Sequence, residues 1–177
     1  MQNINSIIDN LKKKIQIISD ILKNLTKDIS LKLNKIISSN LSLFSIPNEE
    51  QNSALYNQIV IELASYLLVN QILLYHQYSV LSEEVPQLDE SLKNLEDLKH
   101  NFENVQDKNF KFIYSIDLIS IFTNNSSLLE QVNAIIKQLK ALNPELIQQD
   151  LVGRLFQESL PSVSRKKSAA FYTRPAA

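Results

Sequence analysis

LASYLLVNQILLYHQYSVLS, residues Leu63–Ser82, runs twenty residues without an Asp, Glu, Lys or Arg. A helix of that length and composition spans a bilayer, so the stretch belongs either in a membrane or in the middle of a protein. Asn70, Gln71, His76 and Gln77 decide the matter, together with several Tyr and Ser. Amide and imidazole groups are costly in lipid. We therefore read a buried central helix of a soluble bundle, with no membrane partner. A helix apolar nearly all round needs other helices about it.

The composition agrees. Apolar residues make up 44% of 177 residues, enough for a real core. Gly occurs once and Pro five times. All-β and α/β folds spend glycines on turns, so this scarcity points to long helices joined by short loops. Cys is absent, which excludes disulfides and thiolate metal sites. Lys12-Lys13-Lys14 follows a mixed amphipathic start and does not precede an apolar run, so no secretory signal is read. The expected location is cytoplasmic.

Residues 3–38 carry Ile4, Ile8, Leu11, Ile15, Ile18, Leu22, Leu25 and Ile29 at alternating spacings of four and three. That heptad seam predicts one long helix, either in an intramolecular bundle or forming a homodimer through a coiled coil. Asn48 is positioned to cap a second helix running to about Ser82. Leu88, Leu92, Leu95, Leu98, Phe102 and Val105 predict a third, and residues 107–123 a loop leading into a short helix. Asn125-Ser126 opens a fourth with Leu128, Val132, Ile135, Leu139 and Leu142 buried. Asn143-Pro144-Glu145 starts a short turn, and Asp150 caps a last helix with Val152, Leu155, Phe156 and Leu160 inward. The expected architecture is all-α, a bundle of about five helices over residues 1–161.

Charge is unevenly spread. Residues 1–40 hold seven Lys against three Asp, residues 41–160 hold seven basic against sixteen acidic residues, and residues 161–177 hold four basic and no acidic ones. The only glycine, Gly153, excludes a Gly-rich phosphate or dinucleotide loop. His76 and His100 are 24 residues apart and suggest no metal site, with His76 at a polar opening of the core helix and His100 on a solvated face.

The remaining motif is at the end. Asp150-Leu151-Val152-Gly153-Arg154-Leu155-Phe156-Gln157-Glu158-Ser159-Leu160-Pro161 is followed by Arg165-Lys166-Lys167 and by Phe171-Tyr172-Thr173-Arg174-Pro175-Ala176-Ala177. This series resembles the start of the catalytic domain in N6-adenine DNA methyltransferases of restriction–modification systems, the type I modification subunits and their single-chain relatives. Tyr66-Leu67-Leu68-Val69-Asn70-Gln71-Ile72-Leu73-Leu74-Tyr75-His76 is similar to the core helix of their helical N-terminal domain. Ser168-Ala169 stands where that family commonly has a Gly.

The resemblance implies a helical N-terminal domain followed, over residues 162–177, by a linker and the motif X start of a truncated α/β methyltransferase domain. It implies S-adenosylmethionine as the parent enzyme's cofactor, with Phe171, Tyr172, Thr173 and Pro175 beside its methionine end. Thr173 offers a hydroxyl and a backbone N–H, and the two aromatic rings offer flat walls. It implies DNA as partner, with a specificity or restriction subunit as a further one. Arg165, Lys166 and Lys167, with Lys12, Lys13 and Lys14, are the candidate phosphate contacts. No Asn/Asp-Pro-Pro-aromatic motif occurs, so the chain alone is expected neither to bind the cofactor nor to transfer methyl groups. The competing reading is a non-enzymatic helical module for interaction or dimerisation.

Overall fold

The computed structural model describes residues 3–40, 54–106, 111–122 and 124–159. The predicted helix start at Asn48, residues Phe110 and Leu160, and the whole segment 162–177 lie outside them. Among the described residues the fold is all-α, with no strand.

The first amphipathic run is two helices, not one. Asn3 caps α1 (Ile4–Leu22), its Oδ1 accepting the Ser6 N–H at 2.9 Å. The chain leaves helical geometry at Asn24–Leu25, and Thr26 then caps α2 (Lys27–Ser39) from extended backbone. Asn and Thr side chains compete for backbone hydrogen bonds and so favour caps over helix interiors. The Asn24 amide does this here, donating to the Asp20 carbonyl at 3.1 Å. The heptad spacing continues across the break because it records burial and not chain direction. Ile8, Leu11, Ile15, Ile18 and Leu22 are all buried within the chain.

The uncharged stretch Leu63–Ser82 lies in α3 (Ala54–Ser82). It is long and apolar enough to cross a membrane, and 83% of that apolar window is buried inside the protein. Packing against it are α1, α2, α7 (Ser126–Lys140) and α9 (Leu151–Ser159), which makes it the centre of the bundle. Its polar groups serve packing too. Ser65 Oγ accepts from Ser19 Oγ at 3.0 Å across the α1–α3 seam. Gln77 donates to the carbonyls of Ile147 and Gln149 at 2.8 and 3.2 Å. The Tyr75 hydroxyl donates to the Pro86 carbonyl at 2.6 Å. The Gln77 amide thus holds residues 147–149 and the Tyr75 hydroxyl holds the chain at Pro86, while Asn70 Oδ1 and Gln71 Oε1 are buried without a partner among the described residues.

The predicted third helix begins seven residues later than Leu88. Residues 83–94 are irregular, and α4 spans Leu95–Gln106. Pro86 lacks an N–H, and Asp89 Oδ1 accepts the Ser91 N–H at 2.8 Å, a local turn that replaces helix. Leu88 and Leu92 are nonetheless buried, because α7 takes up the backbone between them. Asn133 both accepts from the Leu92 N–H and donates to its carbonyl, each at 3.0 Å. Lys140 Nζ donates to the Leu88 carbonyl at 2.8 Å. The 4, 3 spacing of those leucines imitates a helix that the turn chemistry forbids.

Two single turns follow, α5 (Lys111–Tyr114) and α6 (Ile119–Phe122), and α8 (Pro144–Ile147) is a third. Asn125 caps α7 through the Leu128 N–H at 2.9 Å, and Leu128, Val132, Ile135 and Leu139 are buried as expected. The expected five helices are therefore six, with three single turns, among the described residues.

Candidate functional site

The motif-bearing end of the described chain is α9. Asp150 Oδ1 accepts the Gly153 N–H at 2.8 Å and so caps the helix. Gly153 lets the carboxylate lie directly over its own Cα. A Cβ there would meet Asp150 Cγ and Oδ1 at 2.8 Å, and Oδ2 closer still. The inward face is turned by about one residue from expectation. Leu151 and Leu155 are buried, whereas Phe156 is 45% exposed. The Phe156 ring meets Tyr66 of α3 edge-on at a centroid distance of 6.1 Å.

Glu158 ties α9 to α1. Its carboxylate accepts from Arg154 Nη2 at 2.9 Å and lies 3.7 Å from Lys12 Nζ. The Arg154 hydrogen bond, helped by the charges of Arg154 and Lys12, holds its carboxyl below the usual range against partial desolvation. Lys12 is therefore engaged within the chain. Lys14 is engaged too, donating to Gln131 Oε1 of α7 at 3.0 Å. Lys13 alone of the triplet is exposed and without a partner among the described residues. Successive helical residues point about 100° apart, so the triplet does not converge on one ligand. Arg165, Lys166, Lys167, Phe171, Tyr172, Thr173 and Pro175 lie outside the described residues.

Features that periodicity did not indicate sit around α4 to α6. Gln71 Nε2 donates to the carbonyls of Ile113 and Ile116 at 2.9 and 3.0 Å, while the Tyr114 hydroxyl donates back to the Gln71 carbonyl at 2.8 Å. Burial, then the neighbouring Tyr75, pushes the Tyr114 phenol well above its ordinary pKa. A cavity of about 180 Å³ lies beside this clasp, between Phe102, Tyr114, Ile116 and Ile119. Lys99 at its edge donates to Ser120 Oγ at 2.9 Å and lies 3.6 Å from the Asp117 carboxylate. A larger groove of about 520 Å³ runs between α2 and residues 115–121. Both hollows need elements far apart in the sequence to meet, so no local spacing announces them.

The histidines differ from each other. His100 is exposed, with Nδ1 3.9 Å from Glu103, on the solvated face that was expected. His76 is 2% exposed, and its ring nitrogens make no well-formed hydrogen bond among the described residues, the Leu139 backbone offering only a weak one. It is a core residue, not the polar opening expected of it. Burial first, and the Lys140 charge second, lower its pKa, opposed by the Leu139 backbone.

Among the described residues no cluster of three His, Asp and Glu is placed to hold a metal ion. The one glycine is inside a helix with a carboxylate over it, so the described residues form no glycine loop of the kind that admits a nucleotide cofactor. Comparison with protein-family models, with curated proteins and with solved structures finds no match to this chain.

Proposed function

We propose that this chain is the helical N-terminal portion of an N6-adenine DNA methyltransferase of a restriction–modification system. The observation that carries the reading is the series Asp150–Pro161, Arg165-Lys166-Lys167 and Phe171–Pro175. An all-α bundle around one apolar central helix is the companion expected of the catalytic domain.

In this reading the complete enzyme moves a methyl group from S-adenosylmethionine to adenine N6 in cytoplasmic DNA. Phe171, Tyr172, Thr173 and Pro175 border the methionine end of the cofactor. The bundle supports contacts to DNA or to a specificity or restriction subunit. Lys13, Arg165, Lys166 and Lys167 are the phosphate contacts, with Lys12 and Lys14 contributing charge from within their own pairings.

The test is chemical. The product of the whole gene is incubated with tritiated S-adenosylmethionine and unmethylated duplex DNA, and N6-methyladenine is quantified by mass spectrometry. Label in N6-methyladenine, weakened by Thr173→Ala, is the expected result. DNA free of N6-methyladenine refutes the reading. The 177-residue chain alone should transfer nothing.

A further inference from the structure

The lysines of this bundle fall into two sets. Lys12, Lys14, Lys23, Lys99 and Lys140 each face a carboxylate, an amide or a carbonyl. Lys13, Lys27, Lys32, Lys35, Lys93, Lys111 and Lys137 are exposed and have no such partner among the described residues, and of these Lys32 and Lys35 line a groove. They stand three apart on α2, which places their Cβ atoms about 5–6 Å from each other on one side of the helix. That side is a wall of the 520 Å³ groove. Among the described residues the only carboxylate lining the groove is Asp117. It is already occupied: Lys99 lies 3.6 Å away, and Ser120 donates to it from both its hydroxyl and its N–H. Among the described residues the groove thus carries two ammonium groups without an ion pair and one neutralised acid, with Asp28 one helical turn before Lys32 as the nearest other carboxylate on α2.

We propose that the groove between α2 and residues 115–121 seats a phosphodiester backbone, with Lys32 and Lys35 each neutralising one phosphate. Lysine ammoniums on flexible stems reach successive phosphates as point charges and carry no sequence information. Choosing DNA over an acidic protein rests on the function proposed above. The groove also relocates the main phosphate contact, because Lys12 and Lys14 are held by Glu158 and Gln131.

The experiment uses the full 177-residue chain and a fluorescein-labelled 30-base-pair duplex, read by anisotropy from 50 to 200 mM salt. Two phosphate contacts contribute about −1.8 to the slope of log K against log salt. Over that fourfold range wild type should lose about twelvefold more affinity than K32Q/K35Q. Both lysines are exposed, so the thermal midpoint should not move, which separates lost binding from lost folding. K93Q/K137Q removes the same charge from two other exposed lysines and should leave the slope unchanged.

An unchanged slope in K32Q/K35Q, with wild type binding, overturns the groove and leaves a DNA-facing domain standing. Equal effects of the two double variants show diffuse attraction and also overturn it. So does tighter binding of poly-glutamate than of the duplex at equal charge and salt, which assigns the groove to an acidic protein, or a K32Q/K35Q change in sedimentation at unchanged anisotropy, which assigns it to a second copy. Absence of duplex binding at 50 mM removes DNA contact from this chain altogether, while the N6-methyladenine assay decides the enzyme independently.

Discussion

Gly153 should be worth nothing as a glycine except in the presence of Asp150. In wild type the Asp150 carboxylate folds over α9 and accepts the Gly153 N–H at 2.8 Å, with Cγ and Oδ1 only 2.8 Å from where an alanine Cβ would stand. Alanine improves helix propensity over glycine by about 1 kcal/mol. It also pushes out the carboxylate, and loss of an N-cap costs about 1 kcal/mol. Gly153→Ala should therefore be nearly neutral, within about 0.5 kcal/mol. Asp150→Ala alone should lose about 1 kcal/mol. With the carboxylate gone, adding Gly153→Ala should regain about 1 kcal/mol, a coupling between neighbours of about that size. Urea denaturation of the four chains, followed by circular dichroism, measures this as shifts in midpoint at constant slope. If Gly153→Ala stabilises wild type and the Asp150→Ala background equally, the carboxylate does not sit over Gly153. If it destabilises both equally, the glycine answers to some other contact.

His76 yields a pH prediction. Its folded pKa is depressed below 6.5, so the native state resists the proton that the unfolded chain accepts. That contribution is fully present above pH 6.5 and is lost as pH falls toward the folded value. Urea midpoints should drop between pH 7.5 and 5 in wild type and drop less in His76→Leu. At pH 7.5 that variant should match wild type or exceed it by about 1 kcal/mol, since two poorly satisfied buried nitrogens are removed. Glu83 adopts φ 55° just beyond the end of α3, so Glu83→Gly should raise stability by about 1 kcal/mol, seen in the same urea assay. Asn133→Ala removes both hydrogen bonds to Leu92 and should cost about 2 kcal/mol. Hydrogen exchange should show faster opening of residues 88–92 in that variant, and unchanged exchange there would mean that Asn133 is not the clasp.

The fold class was legible because it depends on composition and periodicity, which are properties of the chain. One glycine, and an uncharged stretch from Leu63 to Ser82 interrupted by amides, already demand a helix surrounded by helices. The caps at Asn125, Asn143 and Asp150 were legible for the same reason, since each satisfies N–H groups two or three residues away.

Tertiary structure decided what periodicity cannot separate. Leu88 and Leu92 are as buried as helix residues would be, but α7 secures them by side-chain hydrogen bonds to irregular backbone. The seam from Ile4 to Ile29 passes through a helix break, because burial of apolar groups is non-directional and tolerates a change of direction. Lys12, Lys13 and Lys14 form one patch in the sequence and three different situations in space, since successive helical residues diverge by about 100°. Lys32 and Lys35 form no run in the sequence, yet they share a groove because α2 meets the chain near residue 117. The sequence determined which segments must be buried and where helices can begin. Only the packing of distant elements determined which charges remain unpaired, because a lysine's partner is chosen by proximity in space and not by its place along the chain.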